Sequence, residues 1–149
     1  DINQILADHY SDHTNIYTDG SRTTDPDRTA AAMVVPSHRH QQIQRLPDAT
    51  SIYTAEFWAI KMALDWVTDQ PPTNYTILSD SLSVLTTLNT GKTKSRPNLL
   101  ESVLLQLQNL QHRQSTVVFI WIPSHINLAG NELADRAAKQ GTTFPEPIQ

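Results

Sequence analysis

The stretch Thr14-Asn15-Ile16-Tyr17-Thr18-Asp19-Gly20-Ser21 decides the fold. Residues 15 to 18 run polar, apolar, apolar, polar and are rich in β-formers, so with Gly20 closing the run they read as a short strand entering the core. Asp19 then stands at the strand's end. An Asp-Gly pair there has two readings: a turn opener whose carboxylate bonds nearby N–H groups, or an acid presented for chemistry at the end of a core strand. The choice turns on three further carboxylates, Glu56, Asp80 and Asp135, each near a junction between elements.

Working outward, residues 22 to 28 form a polar, proline-containing connection, and the run Ala30-Ala31-Ala32-Met33-Val34-Val35 reads as a buried second strand that Pro36 stops. Residues 40 to 46 alternate as a third strand, completing an antiparallel meander. His38 and His40 lack companions for a metal set and read as a turn and a strand edge. Residues 54 to 68 are helical by propensity and apolar on most sides, so Glu56 in the first turn faces packing rather than open water. A first-turn acid favoured by the helix dipole is the plain alternative for it. Residues 74 to 79 form a fourth strand with Asp80 directly after it, either an ordinary helix N-cap or a second strand-end acid. Residues 98 to 113 carry Leu100, Val103, Leu104, Leu107 and Leu110 at helical spacing, and residues 116 to 122 are continuously apolar, as suits a parallel strand covered on both faces. A loop over residues 123 to 130 leads to a helix over 131 to 139 that Asn131 is placed to cap.

The expected fold is therefore α/β, a five-stranded mixed sheet with strands one to three antiparallel and strands one, four and five parallel, flanked by helices. In such sheets ligands collect beyond the carboxyl ends of the parallel strands, where Asp19 and Asp80 stand. Domain organisation reads as a lead-in over 1–13, one domain over 14–141 and a proline-containing tail or linker over 142–149.

Composition narrows the chemistry. With 149 residues the chain is one ordinary domain, large enough to bury a core unaided. It has no cysteine, which excludes disulfides, thiolate zinc sites and cysteine nucleophiles. The 15 acidic residues outnumber the 11 Lys and Arg for a net charge of −4, which argues against a basic module that holds nucleic acid by phosphate neutralisation alone. Four clustered carboxylates would account for that imbalance, and their mutual repulsion implies bound cations. Oxygen ligation points to magnesium or manganese. No apolar run approaches the roughly 20 residues that span a bilayer, and the N-terminus is no signal peptide. A soluble intracellular protein, nuclear or cytoplasmic, is the expectation.

Taken together, Thr18-Asp19-Gly20-Ser21, Thr54-Ala55-Glu56, Ser79-Asp80-Ser81 and Pro123-Ser124-His125, followed by Gly130-Asn131-Glu132-Leu133-Ala134-Asp135, resemble in order and spacing the motifs of type 1 ribonuclease H. The resemblance covers about residues 14 to 140, and the wording of residues 121–125 and 130–135 is most similar to ribonuclease H domains attached to reverse transcriptases of non-LTR (LINE-type) retrotransposons. Each short motif is weak alone, but four acids and a histidine in one order form a joint signal.

The resemblance implies an endonuclease that cuts the RNA strand of RNA·DNA hybrids to 5′-phosphate and 3′-hydroxyl ends, with Asp19, Glu56, Asp80 and Asp135 holding two magnesium ions that manganese can replace. It implies that His125 assists proton transfer or product release, in a loop that Gly130 keeps flexible. Gly20, Ser21 and Ser81 are the implied substrate contacts. Glu132, one turn before Asp135, is either an acid that tunes the site or a solvated charge. The implied partners are the hybrid and a reverse transcriptase domain of the same polyprotein, the isolated domain being a monomer.

The chain also departs from the family. Arg22-Thr23-Thr24-Asp25-Pro26 replaces a glycine-rich loop, Ile52 and Tyr53 replace asparagines before the catalytic glutamate, and Leu82 replaces a glutamine. The loop over 89–97, with Lys92, Lys94 and Arg96, is short where some members carry a long basic protrusion, so weak hybrid affinity of the isolated domain is expected, with the neighbouring polymerase holding the duplex. The competing readings are a catalytically silent ribonuclease-H-like module that binds or braces nucleic acid, and an integrase- or resolvase-type nuclease acting on duplex DNA.

Overall fold

The first strand is longer than its sequence suggests. In the computed structural model, which describes all of residues 1–149 except Lys94, His125, Asn127, Glu146, Ile148 and Gln149, β1 spans Thr14–Thr23 and runs straight through Asp19. It pairs on one side with β2 (Arg28–Val35), antiparallel, with Asp19 opposite Ala32 and Gly20 opposite Ala31. On its other side it pairs with β4 (Asn74–Ser79), parallel, and that ladder stops at Thr18 opposite Ser79. Asp19 is thus mid-strand, not at a strand end as expected, and yet it is the first residue of β1 past the parallel ladder.

The remaining strands are β3 (His40–Leu46), antiparallel to β2, and β5 (Thr116–Trp121), parallel to β4, giving the order β3-β2-β1-β4-β5. This is the five-stranded mixed α/β sheet anticipated from the sequence. One correction concerns β5. It is an edge strand whose middle residues are only half-buried and whose ends, Thr116 and Trp121, are exposed, because it has a neighbour on one side only.

The period-2 alternation of the central strands divides the core in two. Ile16, Met33, Val35 and Ile77 face α2 (Ile52–Thr68), α3 (Leu82–Thr90) and α4 (Pro97–His112), with Phe57, Ile60, Leu64, Val84, Val103 and Leu110 filling that side. Tyr17, Ala32, Val34 and Leu78 face α1 (Ile2–His9) and α5 (Ala129–Gly141), where Leu6, Ala134, Ala137 and Ala138 pack. Each large apolar side chain buried in this way contributes about 1.5–3 kcal/mol. The fully buried Ala30-Ala31-Ala32 run lets helices on both faces approach β2 closely.

Asp1 caps α1 by accepting the N–H of Gln4, and that helix contributes Leu6 to the core. Arg28 and Arg45 donate to the carbonyls of Thr142 and Phe144, fastening the start of the C-terminal segment to β2 and β3. Among the described residues, no helix is long and apolar enough to cross a membrane.

Two glycines set helix positions. A Cβ on Gly20 would lie 2.8 Å from the backbone nitrogen of Glu56 and 2.9 Å from Cβ of Ala55, so only glycine lets the start of α2 rest on β1. A Cβ on Gly130 would overlap the buried ring of Tyr17. Gly130 is therefore a packed residue of α5 and not a loop hinge, contrary to the sequence expectation. Gly20→Ala is expected to cost about 1–3 kcal/mol, as overpacking typically does, because the atoms in its way are backbone. Thermal unfolding checks this, and an unchanged Tm would mean that α2 lifts from the sheet freely.

Candidate active site

Three elements deliver carboxylates to one place. Asp19 comes from β1 and Asp80 from the residue after β4, adjacent parallel strands. Glu56 comes from α2. Ser51 caps that helix by accepting the N–H of Thr54, so α2 begins at Ile52 and Glu56 lies beyond its first turn. That removes the reading of Glu56 as an exposed first-turn acid satisfied by the helix dipole. Close packing at Gly20 holds it against β1 instead.

One carboxylate oxygen from each of Asp19, Glu56 and Asp80 lies within 4.8 Å of the other two. Asp19 is 4% exposed and Glu56 8%. The N–H of Gly20 donates to Oδ1 of Asp19 at 2.9 Å, and the Ser124 hydroxyl donates to Oδ2 of Asp80 at 3.4 Å. Oε2 of Glu56 is buried with no hydrogen-bond partner. Burial is the largest force on both inner acids and disfavours their charged forms. Burial, then the nearby Asp80, push Asp19 up to about 7. Burial, then Asp19 and Asp80, push Glu56 up to about 10. Without a cation, burial and mutual repulsion favour retention of a proton between Glu56 and Asp19.

Asp135 is on α5 as expected, close enough for its charge to raise the Asp19 pKa, but it is not among the three clustered acids. Its Oδ2 is 3.0 Å from Nζ of Lys139, one turn along the helix. The sequence reading missed this pair, although the i, i+4 spacing was legible. Ser124 on Asp80 was missed too, for want of any local signal. Asn131 does not cap α5. Leu128 occupies the cap position, and Asn131 is buried within the helix with its Oδ1 unpartnered. Glu132 is exposed, Ser21 lies on β1, and Ser81 is the N-cap residue of α3. The expected histidine, His125, lies outside the described residues.

The donors suit a hard divalent cation: they are all oxygen, they come from three separate elements, and one buried lone-pair-bearing oxygen on Glu56 lacks any donor. Asp19, Glu56 and Asp80 are the residues that would hold it.

Fold and site together define a class, sheet-based α/β proteins with an acidic cluster able to hold a metal where the ladder between adjacent parallel strands ends. A family model described as RNase H matches residues 11–143, and the chain belongs to that family. The Pol polyproteins of equine infectious anemia virus isolates 1369 and CL22 are each 31% identical to it over 134 residues, 90% of this chain. The chain spans only 11% of the length of these curated relatives. Among solved structures, RNase H1 from the halophilic archaeon Halobacterium salinarum NRC-1 matches with a TM-score of 0.65 at 21% identity, covering 87% of this chain and 96% of that one, which establishes a shared fold.

The raised pKa values carry a signed prediction. The unfolded chain releases these protons near the ordinary values of 3.8 and 4.5, while the native state retains them to about 7 and about 10. Native stability in EDTA is therefore greatest in acid and falls as pH rises through that window. Tm measured in EDTA is expected to drop by about 5 °C or more between pH 5 and pH 8, with a shallower drop in Glu56→Gln. Magnesium is expected to raise Tm more at pH 8 than at pH 5, since a cation must displace the protons.

Proposed function

We propose that this chain is a metal-dependent endonuclease that hydrolyses the RNA strand of RNA·DNA hybrids, leaving 5′-phosphate and 3′-hydroxyl ends, as the ribonuclease H part of a retroelement polyprotein. The observation that carries the reading is the cluster of Asp19, Glu56 and Asp80, two of them almost fully buried, with an oxygen of Glu56 left without a donor. An apolar scaffold retains such repelling acids at a cost in stability, which suits a functional site. Membership of the RNase H family and likeness to part of Pol polyproteins support the substrate class and a reverse transcriptase neighbour. The wording of residues 121–125 and 130–135 supports a non-LTR retrotransposon as the source.

Two magnesium ions, when bound, would acidify the attacking water and stabilise charge on both the attacking and leaving oxygens of an in-line displacement. In this reading Asp19, Glu56, Asp80 and Asp135 would hold the ions, Asp19 and Asp135 toward activation of the water and Glu56 and Asp80 toward the departing oxygen. Binding there would compete with the proton favoured at Glu56 and with the Lys139 ion pair at Asp135. His125 assists proton transfer or product release, Gly20, Ser21 and Ser81 meet the substrate, and Glu132 tunes the site.

Asp80→Asn is expected to reduce hybrid cleavage in magnesium by at least about 100-fold, the scale of disturbing a metal ligand set, with Tm retained. Cleavage of hybrid, duplex RNA and duplex DNA is measured in parallel. Undiminished cutting by the variant would refute the metal assignment, preferential cutting of duplex DNA would favour an integrase-type nuclease, and binding without cleavage would favour a silent bracing module.

A further inference from the structure

The outermost strands of a sheet expose a row of backbone donors and acceptors, and proteins ordinarily blunt such edges with charge, proline or a covering segment. The two edges of this sheet differ. β3 carries Gln41, Gln42, Gln44 and Arg45, and Arg45 ties the C-terminal segment to it. β5 reads Thr-Val-Val-Phe-Ile-Trp, without charge, proline or glycine, and among the described residues it pairs only with β4. Its middle residues are half-buried, and Trp121 at its end is 46% exposed. The helices beside it share its character. α3 and α4 pack on each other and on β5, and the three elements together contain a single carboxylate, Glu101, and no lysine or arginine.

Strand alternation decides which groups this edge offers. The N–H groups of Thr116 and Ile122 donate to the carbonyls of Thr73 and Ser79 on the β4 side. Even-numbered residues of β5 therefore bond to β4, and the N–H and C=O groups of Val117, Phe119 and Trp121 lie along the outer edge. This set is bounded at both ends, because the N–H of Ser115 is taken by the Leu110 carbonyl and Pro123 has none. It is also symmetric about Phe119. A second β5 laid antiparallel, with the two Phe119 residues opposite one another, brings Val117 of each strand against Trp121 of the other, and every outward N–H and C=O on both strands gains a partner. A slip of two residues leaves groups unpaired at both ends. On the faces of the joined sheet Phe119 meets Phe119, Val117 meets Trp121 and Val118 meets Ile120, all aromatic or β-branched pairs with no like charges opposed.

We propose that a second copy of this chain covers β5, the two strands pairing antiparallel about a two-fold axis at Phe119 and joining two five-stranded sheets into one. A self-complementary patch is what a two-fold dimer requires. Any extended strand satisfies edge groups, but the symmetry of this set and the absence of charge on its flank favour an identical one. Antiparallel pairing points the two acid clusters to opposite ends of the joined sheet, so the dimer stands or falls independently of the nuclease reading. It departs from the monomer expected of the isolated domain.

Sedimentation equilibrium of the whole chain tests the association, and disulfide trapping tests its register. The mass of the parent is expected to rise from one chain toward two through the micromolar range. Trp121→Lys, at an exposed position that leaves the fold intact by circular dichroism, is expected to raise the dimer dissociation constant about 10-fold or more, as loss of an interface tryptophan does. The chain has no cysteine, so introduced thiols are the only ones present. Directly opposed residues that exchange both hydrogen bonds have Cα atoms about 5.5 Å apart, within disulfide reach. Under mild oxidation Phe119→Cys is expected to cross-link to itself, whereas Val118→Cys, which faces Ile120 of the other copy, stays largely monomeric on a denaturing gel. Since Phe119 also packs on the core, a mixture of Val117→Cys and Trp121→Cys provides the same check: it cross-links, and neither variant alone does. A parent that remains a single chain throughout, a Trp121→Lys variant that associates as tightly as the parent, or cross-linking that ignores this register would overturn the dimer.

Discussion

Two carboxyl groups, Asp19 and Glu56, are buried side by side, and this is the constraint on which the rest of the structure depends. Neither can shed its charge problem into water, so without a cation one proton remains between them. Holding them there requires α2 to sit on β1 more closely than any side chain at position 20 would permit. It also requires Ala55 to be small and Ser51 to begin the helix at a point that brings Glu56, four residues after Ile52, to the strand.

The scaffold supplies the stabilisation that such a site consumes. Alternating Ile16 and Tyr17, Met33 and Val34, and Ile77 and Leu78 anchor separate cores on the two sheet faces, so the central strands cannot slip without moving large side chains from one core to the other. The parallel ladder between β1 and β4 ends one residue before each acid, at Thr18 and Ser79. That shared ending places Asp19 and Asp80 together, and α5, packed on Tyr17 through Gly130, brings Asp135 into electrostatic reach of Asp19.

The surroundings of the acids differ in chemistry from the acids themselves. Two inner carboxyls are dry, Asp80 is half-buried beside the Ser124 hydroxyl, and Asp135 is paired with Lys139 at the helix surface. Beyond them exposed apolar groups, Ile52, Leu82 and Trp121, alternate with exposed hydroxyls such as Ser51 and Ser83.

Much of this was legible in the chain because short-range physics wrote it. Period-2 and period-3.6 patterns, together with Pro36 and Pro71-Pro72, marked the strands and main helices within a few residues, and the alternation of elements implied the mixed sheet. The identities and spacing of Asp19, Glu56, Asp80 and Asp135 were likewise readable as a set. Other features depended on partners distant in sequence. An apolar run cannot declare how completely its faces are covered, so β5 was read as covered on both faces when it is a half-exposed edge strand. Gly130 looked like a hinge because nothing nearby in the chain announces the Tyr17 ring against it. By itself the sequence determined the identities and order of the acids and the main strands and helices around them. Only the tertiary structure decided that three of the four acids converge while Asp135 is held by Lys139, because burial and repulsion are properties of a place that distant segments build together.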